Sequence, residues 1–386
     1  MVDGLINVVL MLAILVVLVV AHEFGHFFLA RRAGVTVHEF GIGFPPRIAT
    51  IGRLWGTPIT LNALPLGGFV RLEGETEEPD EAADLADGAV AAPDPHSFTA
   101  QSLPTRIAIL LAGAVMNALV AVVIFSALAM AGYPSTTIRI GAYSVAADPA
   151  LATPSPAQQA GLKTDTQVDA DTWLPTGDTI LAVDGHRFVF FDGPDPMLAY
   201  LKAHAGQSVS LAIRHADGTE GTVTLTLRDP AHALTEGALG IKGYTPVAGP
   251  AFQAGPLEAI GLGIERTATT GTQIFAALGT FLSDLAHPQV AGPIGIADAV
   301  GQTRSAGAAP LSLPYLIALL SANLAILNVL PLPPMDGGRI AISLIRAVGR
   351  GRVGIRFERR AALVGFALLI VLVFWVGAND IARLPR

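Results

Sequence analysis

Four apolar stretches without a single charge decide what this chain can fold into: Leu5–Ala21, Ile107–Ala131, Leu311–Met335 and Ala361–Ala378. Each is near or above the ~18–20 residues that carry a helix across about 30 Å of hydrocarbon. Lipid offers no partner to backbone polar groups, so such stretches predict a multi-pass α-helical membrane protein with four transmembrane helices. Composition agrees, since 52% of the 386 residues are hydrophobic and only 14% are charged, too apolar for an ordinary soluble domain. Asp3 stands where a secretory leader would carry positive charge, and the apolar run is long for such a leader, so the segment reads as a retained span. There is no cysteine, which excludes disulfides, thiolate metal ligands and cysteine catalysis. No basic stripe argues for nucleic acid.

The first stretch ends in His22-Glu23-Phe24-Gly25-His26. On a helix, residues four apart share a face, so His22 and His26 can grip one zinc ion while Glu23 activates a water. Charge at membrane depth costs about 2.5–3.5 kcal/mol per residue even on lenient scales, so three ionisable groups here mark function. The third apolar stretch closes on Leu330-Pro-Leu-Pro-Pro-Met-Asp336-Gly-Gly. Its prolines break the helix just before the acid, and broken backbone at that depth is tolerable only beside a cavity. Asp336 and the histidines come near the end of two spans that run the same way. A 2-His-1-Asp set would leave a fourth position open, as catalytic zinc requires. Asn323 and Asn328, polar within the span, are candidates to hydrogen-bond a substrate backbone or its carbonyl, or to join helices. Asn117, in the second span, reads as packing.

Arginines set the orientation. Arg31 and Arg32 follow the first span, Arg106 precedes the second, and Arg346, Arg350, Arg352, Arg356, Arg359 and Arg360 lie between the last two. All fall on the cytosolic side if the N-terminus is outside, which makes residues 132–310 external.

The intervening segments differ in kind. Residues 33–72 alternate short β-prone runs with glycines and predict a hairpin or two, either a plain connection or an edge able to pair with an extended peptide. Residues 73–102 open with a run of Glu and Asp among alanines and prolines, read as a flexible acidic loop without chemistry. Within 132–255, Ser208–His215 and Gly221–Leu227 alternate around a turn as a hairpin, Ser155–Leu162 and Pro196–Ala205 read as helices, and Thr176–Gly185 as a strand closing in a turn. This small α+β domain suits binding better than catalysis. Residues 256–286 are mildly amphipathic and lie on the membrane surface or pack against that domain.

The chain resembles the site-2 proteases, and within them the bacterial RseP-like intramembrane zinc metalloproteases. The matching segments are HEFGH at 22–26, Pro65-Leu-Gly-Gly-Phe69, Gly113 through Asn117, Gly292-Pro-Ile-Gly295 and Asn323–Gly338, in order along the chain. The resemblance implies His22, His26 and Asp336 as zinc ligands, Glu23 as the catalytic residue and Asn328 as a substrate contact. It implies a membrane-associated β-hairpin over 48–72 and a PDZ-like domain over 140–245, outside the cytoplasmic membrane of a bacterium, with the active site near the cytosolic side. It further implies single-span membrane proteins as substrates, such as anti-sigma factors or signal-peptide remnants, trimmed first by an upstream site-1-type protease. Ala114 and Met335 depart from the usual proline and leucine, and Thr164–Pro175 is an insertion.

The resulting expectation is a zinc metalloendopeptidase in the lipid bilayer. Its spans cover residues 1–32, 103–132, 311–345 and 361–378, with the hairpin region, acidic loop, PDZ-like domain and juxtamembrane segment between. The alternatives are a zinc peptidase acting on soluble or prenylated peptides and a non-catalytic scaffold that binds peptides through the PDZ-like domain.

Overall fold

The computed structural model describes residues 2–75, 94–143, 154–169, 173–189, 195–283, 292–305, 312–348 and 355–383. Most of the acidic run (76–93) and the arginines at 350 and 352 lie outside the described residues. The chain divides into two compact units, Met1–Ala127 with Pro256–Arg386, and Leu128–Gly255.

The first unit opens with helix α1 (Val2–Arg32), followed by strands β1 (Val37–Leu54) and β2 (Thr57–Leu72) and helix α2 (Leu103–Ala131). Among the described residues three helices are long and apolar enough to cross a membrane: Asp3–Arg32, Leu103–Ala131 and Arg360–Ala378. A shorter apolar helix covers Leu313–Val329. The expected membrane protein with β elements is therefore present in coarse form.

β1 and β2 pair as an antiparallel hairpin through a two-residue turn in which Trp55 and Gly56 both take positive φ, 48° and 87°. That turn geometry matches the twist of the flanking strands. The hairpin then folds over itself. Phe40 pairs with both Val70 and Ile59, and Ile42 with both Gly68 and Leu61, so the two halves of β2 flank the start of β1. Trp55 anchors the tip on α1, its ring stacked on Phe27 at 5.5 Å with 8° between planes, and its carbonyl accepts from Arg31. A buried acid pins the sheet: Glu39, 4% exposed, accepts from Arg47 and Thr60, each at 2.7 Å. Phe27, Val35, Phe40, Leu72, Phe98, Ile109 and Leu110 close the core between α1, the hairpin and α2.

The second unit opens with strand β3 (Tyr133–Tyr143) and ends with strand β10 (Ile241–Phe252). Between them lie helix α3 (Pro156–Gln159), strands β4 (Thr166–Gln167), β5 (Trp173–Leu174), β6 (Thr179–Val183) and β7 (Phe188–Val189), helix α4 (Asp195–Ala203), the hairpin β8 (Ser208–Arg214) and β9 (Glu220–Thr226), and helix α5 (Pro230–Glu236). The sheet order is β10-β3-β6-β8-β9, with β7 beside β3. Ile138, Ile140, Ile180, Leu211 and Ile213 alternate inward along the strands and are at most 1% exposed, as period-2 patterning requires. Sequence alternation missed β3 and β10, whose Pro and Gly residues obscure it, and it missed α5, which Asp229 caps through the amides of Ala231 and His232.

The first unit resumes with helices α6 (Pro256–Ser283), α7 (Pro293–Ser305), α8 (Ser312–Val329), α9 (Asp336–Val348) and α10 (Ile355–Arg383). The α6 segment packs on apolar helices of its own unit. Arg266 donates to Tyr315 of α8 at 2.8 Å, and Gly271 sits against Ile326. Leu257, Ile264 and Phe275 remain exposed. Gly292-Pro-Ile-Gly295 starts α7, where the amide of Gly295 donates to the buried carboxylate of Asp380 at 2.9 Å. The third apolar stretch is interrupted as its prolines demand: α8 stops at Val329 and α9 starts at Asp336.

Candidate metal centre

α1 carries His22, Glu23 and His26; α2 packs against it through two glycines. A Cβ on Gly25 would run into the backbone carbonyl of Ala112, and a Cβ on Gly113 would lie 2.6 Å from His22 Cε1. Only hydrogen fits at both positions, so the main chain of α2 lies against the imidazoles. The first turn of α9 brings Asp336 to the same place.

His22 Nε2 and His26 Nε2 are 3.1 Å apart. Asp336 Oδ2 lies 3.0 Å from the first and 3.3 Å from the second. Around zinc, bonds of 2.0–2.1 Å at tetrahedral angles separate ligand atoms by about 3.3 Å, so this triangle has the size of one tetrahedral face. His26 Nδ1 donates to the carbonyl of Ile109 at 2.8 Å. That bond places the proton on Nδ1 and leaves the Nε2 lone pair directed at the triangle. Asp336 Oδ2 is buried without a hydrogen-bond partner even though both Nε2 atoms are beside it. A single cation among these three atoms would satisfy them all. The residues fit zinc, and their ligand atoms lie close enough together that they could hold one metal ion.

A cavity of about 700 Å³ opens on this cluster. Glu23, His26 and Asp336 line it, together with the end of β2 from Gly68 to Leu72. Gly68 matters here because a Cβ would stand 3.1 Å from Glu23 Cγ; the strand passes directly beside the acid. Glu75 and Arg339 line the same cavity and form an ion pair at 2.6 Å. Two acids at the start of the acidic run are therefore paired among the described residues. Glu75 is drawn in by Arg339, and Glu73 is bound to His38 at 2.5 Å.

The residues His22, Glu23, His26 and Asp336 thus come together, although they belong to helices more than 300 positions apart. Asn323 and Asn328 sit on α8 outside the set that lines the cavity, and the Asn328 amide donates to Leu324 within its own helix at 3.0 Å. Asn117 is fully buried; its carbonyl accepts from Ser321 at 2.8 Å, while its side-chain amide has no partner. The Ile109 carbonyl left no mark in the sequence, because a backbone acceptor has no side chain to notice. Arg339 was visible only as one residue three positions past Asp336.

The profile described as "Peptidase family M50" matches residues 10–372. The chain is similar to zinc metalloprotease RasP of Geobacillus kaustophilus, with 28% identity over 455 residues and 99% of each chain covered. It is 31% identical over 367 residues to CPE1693 of Clostridium perfringens, provisionally named a zinc metalloprotease, with 94% of this chain and 95% of that one covered. The RasP of Shouchella clausii is 27% identical, with 97% and 98% covered.

Proposed function

This chain belongs to peptidase family M50 and is a zinc metallopeptidase with membrane-spanning helices, and from that premise we propose the residues, substrate and topology of its reaction. His22, His26 and Asp336 hold the zinc and Glu23 is the catalytic acid–base. The single observation that carries this is the triangle of three ligand atoms, sized as a tetrahedral face, of which His26 and Asp336 line one cavity with Glu23 and the end of β2. Bound zinc supplies Lewis acidity, which polarises the scissile carbonyl and makes a water acidic enough to attack near neutral pH. Glu23 takes the proton from the attacking water and returns it to the leaving amine nitrogen. The Ile109 carbonyl keeps His26 in its ligating tautomer.

The substrate is a single-span membrane protein already trimmed outside by another protease. A helical amide is shielded by its own hydrogen bonds, so the substrate must unwind before hydrolysis. The outer edge of β2 at Gly68–Val70, a strand paired only with β1 among the described residues, supports capture of that unwound stretch as an added strand, which lays its backbone across Glu23. Asn323 and Asn328 contact the substrate backbone; Asn328 exchanges its bond to Leu324 to do so. Four spans follow if α8 crosses as well, since 18 residues extend about 27 Å. The arginine distribution supports an external N-terminus and an external, PDZ-like Leu128–Gly255 unit in a bacterial cytoplasmic membrane, with the zinc near the cytosolic side.

A scaffold role for the second unit has one observation in its favour, an apolar groove of about 240 Å³ between α4 and β10, lined by Leu198, Leu201, Ile241 and Tyr244. Incubating purified protein with a trimmed single-span substrate, with and without a zinc chelator, decides the matter. Chelator-sensitive cleavage within the span supports the peptidase reading. Binding without cleavage, or cleavage only of soluble peptides, overturns it.

A further inference from the structure

Two buried polar groups near the metal cluster lack partners, and they belong to facing helices. His22 Nδ1 has no hydrogen-bond partner, and neither does either side-chain polar atom of Asn117. Burying such groups unpaired costs roughly 1–3 kcal/mol each, so a native interior rarely leaves them so. The other histidine of the cluster does not have this problem, because its Nδ1–H donates to the Ile109 carbonyl.

The packing of α1 on α2 aligns the two orphans. His26 meets Ile109, Gly25 meets Ala112 and His22 meets Gly113, so the helices run antiparallel. Asn117 lies one turn beyond Gly113 on the same face. Side chains on a helix lean toward its N-terminus. His22 therefore leans toward the level of Asn117, and Asn117 leans toward the level of His22. Its backbone is held against α8 by Ser321 Oγ, through the carbonyl and not the side chain. Asn117 is 0% exposed, so its carboxamide has no access to bulk water.

We infer that Asn117 is the positioning residue for His22: its Oδ1 accepts a hydrogen bond from His22 Nδ1–H, after a turn of the carboxamide or through one buried water. It would do for His22 what the Ile109 carbonyl does for His26, fixing the tautomer so that Nε2 presents a lone pair to the metal. The inference rests on His22 being a ligand, as proposed above.

The test is zinc affinity by chelator competition in full-length protein in nanodiscs, for wild type, N117L, N117D and H22A. The cobalt-substituted protein's visible spectrum serves as a second readout, and zinc-free thermal unfolding as a control. N117L should bind zinc 10–100-fold more weakly, the usual effect of losing a partner behind a ligand, with an altered cobalt spectrum and no loss of zinc-free stability. N117D retains the acceptor and should bind within a few-fold of wild type. If N117L binds within twofold of wild type, or N117D is as damaged as N117L, the inference fails. If H22A itself retains full affinity, the ligand assignment fails first and takes this inference with it.

Discussion

His26 donates its Nδ1 proton to the carbonyl of Ile109 at 2.8 Å, across the α1–α2 contact. A main-chain carbonyl thereby decides which nitrogen of the ring can ligate a metal, and Asp336 Oδ2 lies 3.3 Å from that nitrogen. Geometry that depends on a backbone atom tolerates side-chain changes nearby but not displacement of the helix.

Glu23→Gln should keep zinc at wild-type occupancy and lower the cleavage rate by at least 10²–10⁴-fold, the range lost with a general base. Single-turnover kinetics alongside metal analysis of the same preparation measure both. Cleavage within tenfold of wild type would remove Glu23 from the mechanism.

Asp336→Ala removes one of three donors and should leave the purified protein largely zinc-free, with cleavage abolished. Elemental analysis after dialysis against a weak chelator reads this directly. Full occupancy would mean that another group closes the site.

Gly113→Val puts methyl groups where the two imidazoles stand, since even a Cβ there would lie 2.6 Å from His22 Cε1. Overpacking of this kind costs typically 1–3 kcal/mol, and the rings can yield only by leaving the ligating position. Zinc affinity should fall by tenfold or more while Ala114→Val, its neighbour, has a smaller effect. Equal effects would show that the position is sensitive only to bulk.

Gly68→Val crowds Glu23 from the β2 side. If the strand edge holds substrate across Glu23, this variant should retain zinc and lose at least tenfold in kcat/KM. A variant with normal kinetics would remove the strand edge from substrate capture.

The Glu75–Arg339 pair is partly buried, at 13% and 29% side-chain exposure, and ties the segment after β2 to α9. A double-mutant cycle with E75Q and R339Q should give a coupling of about 1 kcal/mol in thermal stability, at the upper end for exposed pairs. Additive losses would mean that the two side chains act independently.

Local rules account for a definite part of this protein. The apolar runs give the long helices, because lipid leaves the backbone no other partner. HEFGH places two imidazoles and an acid by helical spacing alone, and the prolines before Asp336 force a break that starts a new helix at the acid. Alternation found β8 and β9, where polar and apolar residues face different surroundings. Other features depend on contacts between distant segments and leave no local trace. The folding of the β1–β2 hairpin over itself, the approach of Gly113 to the imidazoles, the Ile109 carbonyl and the drawing-in of Glu75 by Arg339 are all of this kind. Residue type and spacing fix which side chains could act together, because a helix repeats on its own terms. Which of them do meet is decided by packing, where burial and the pairing of buried polar groups are settled between helices and not along them.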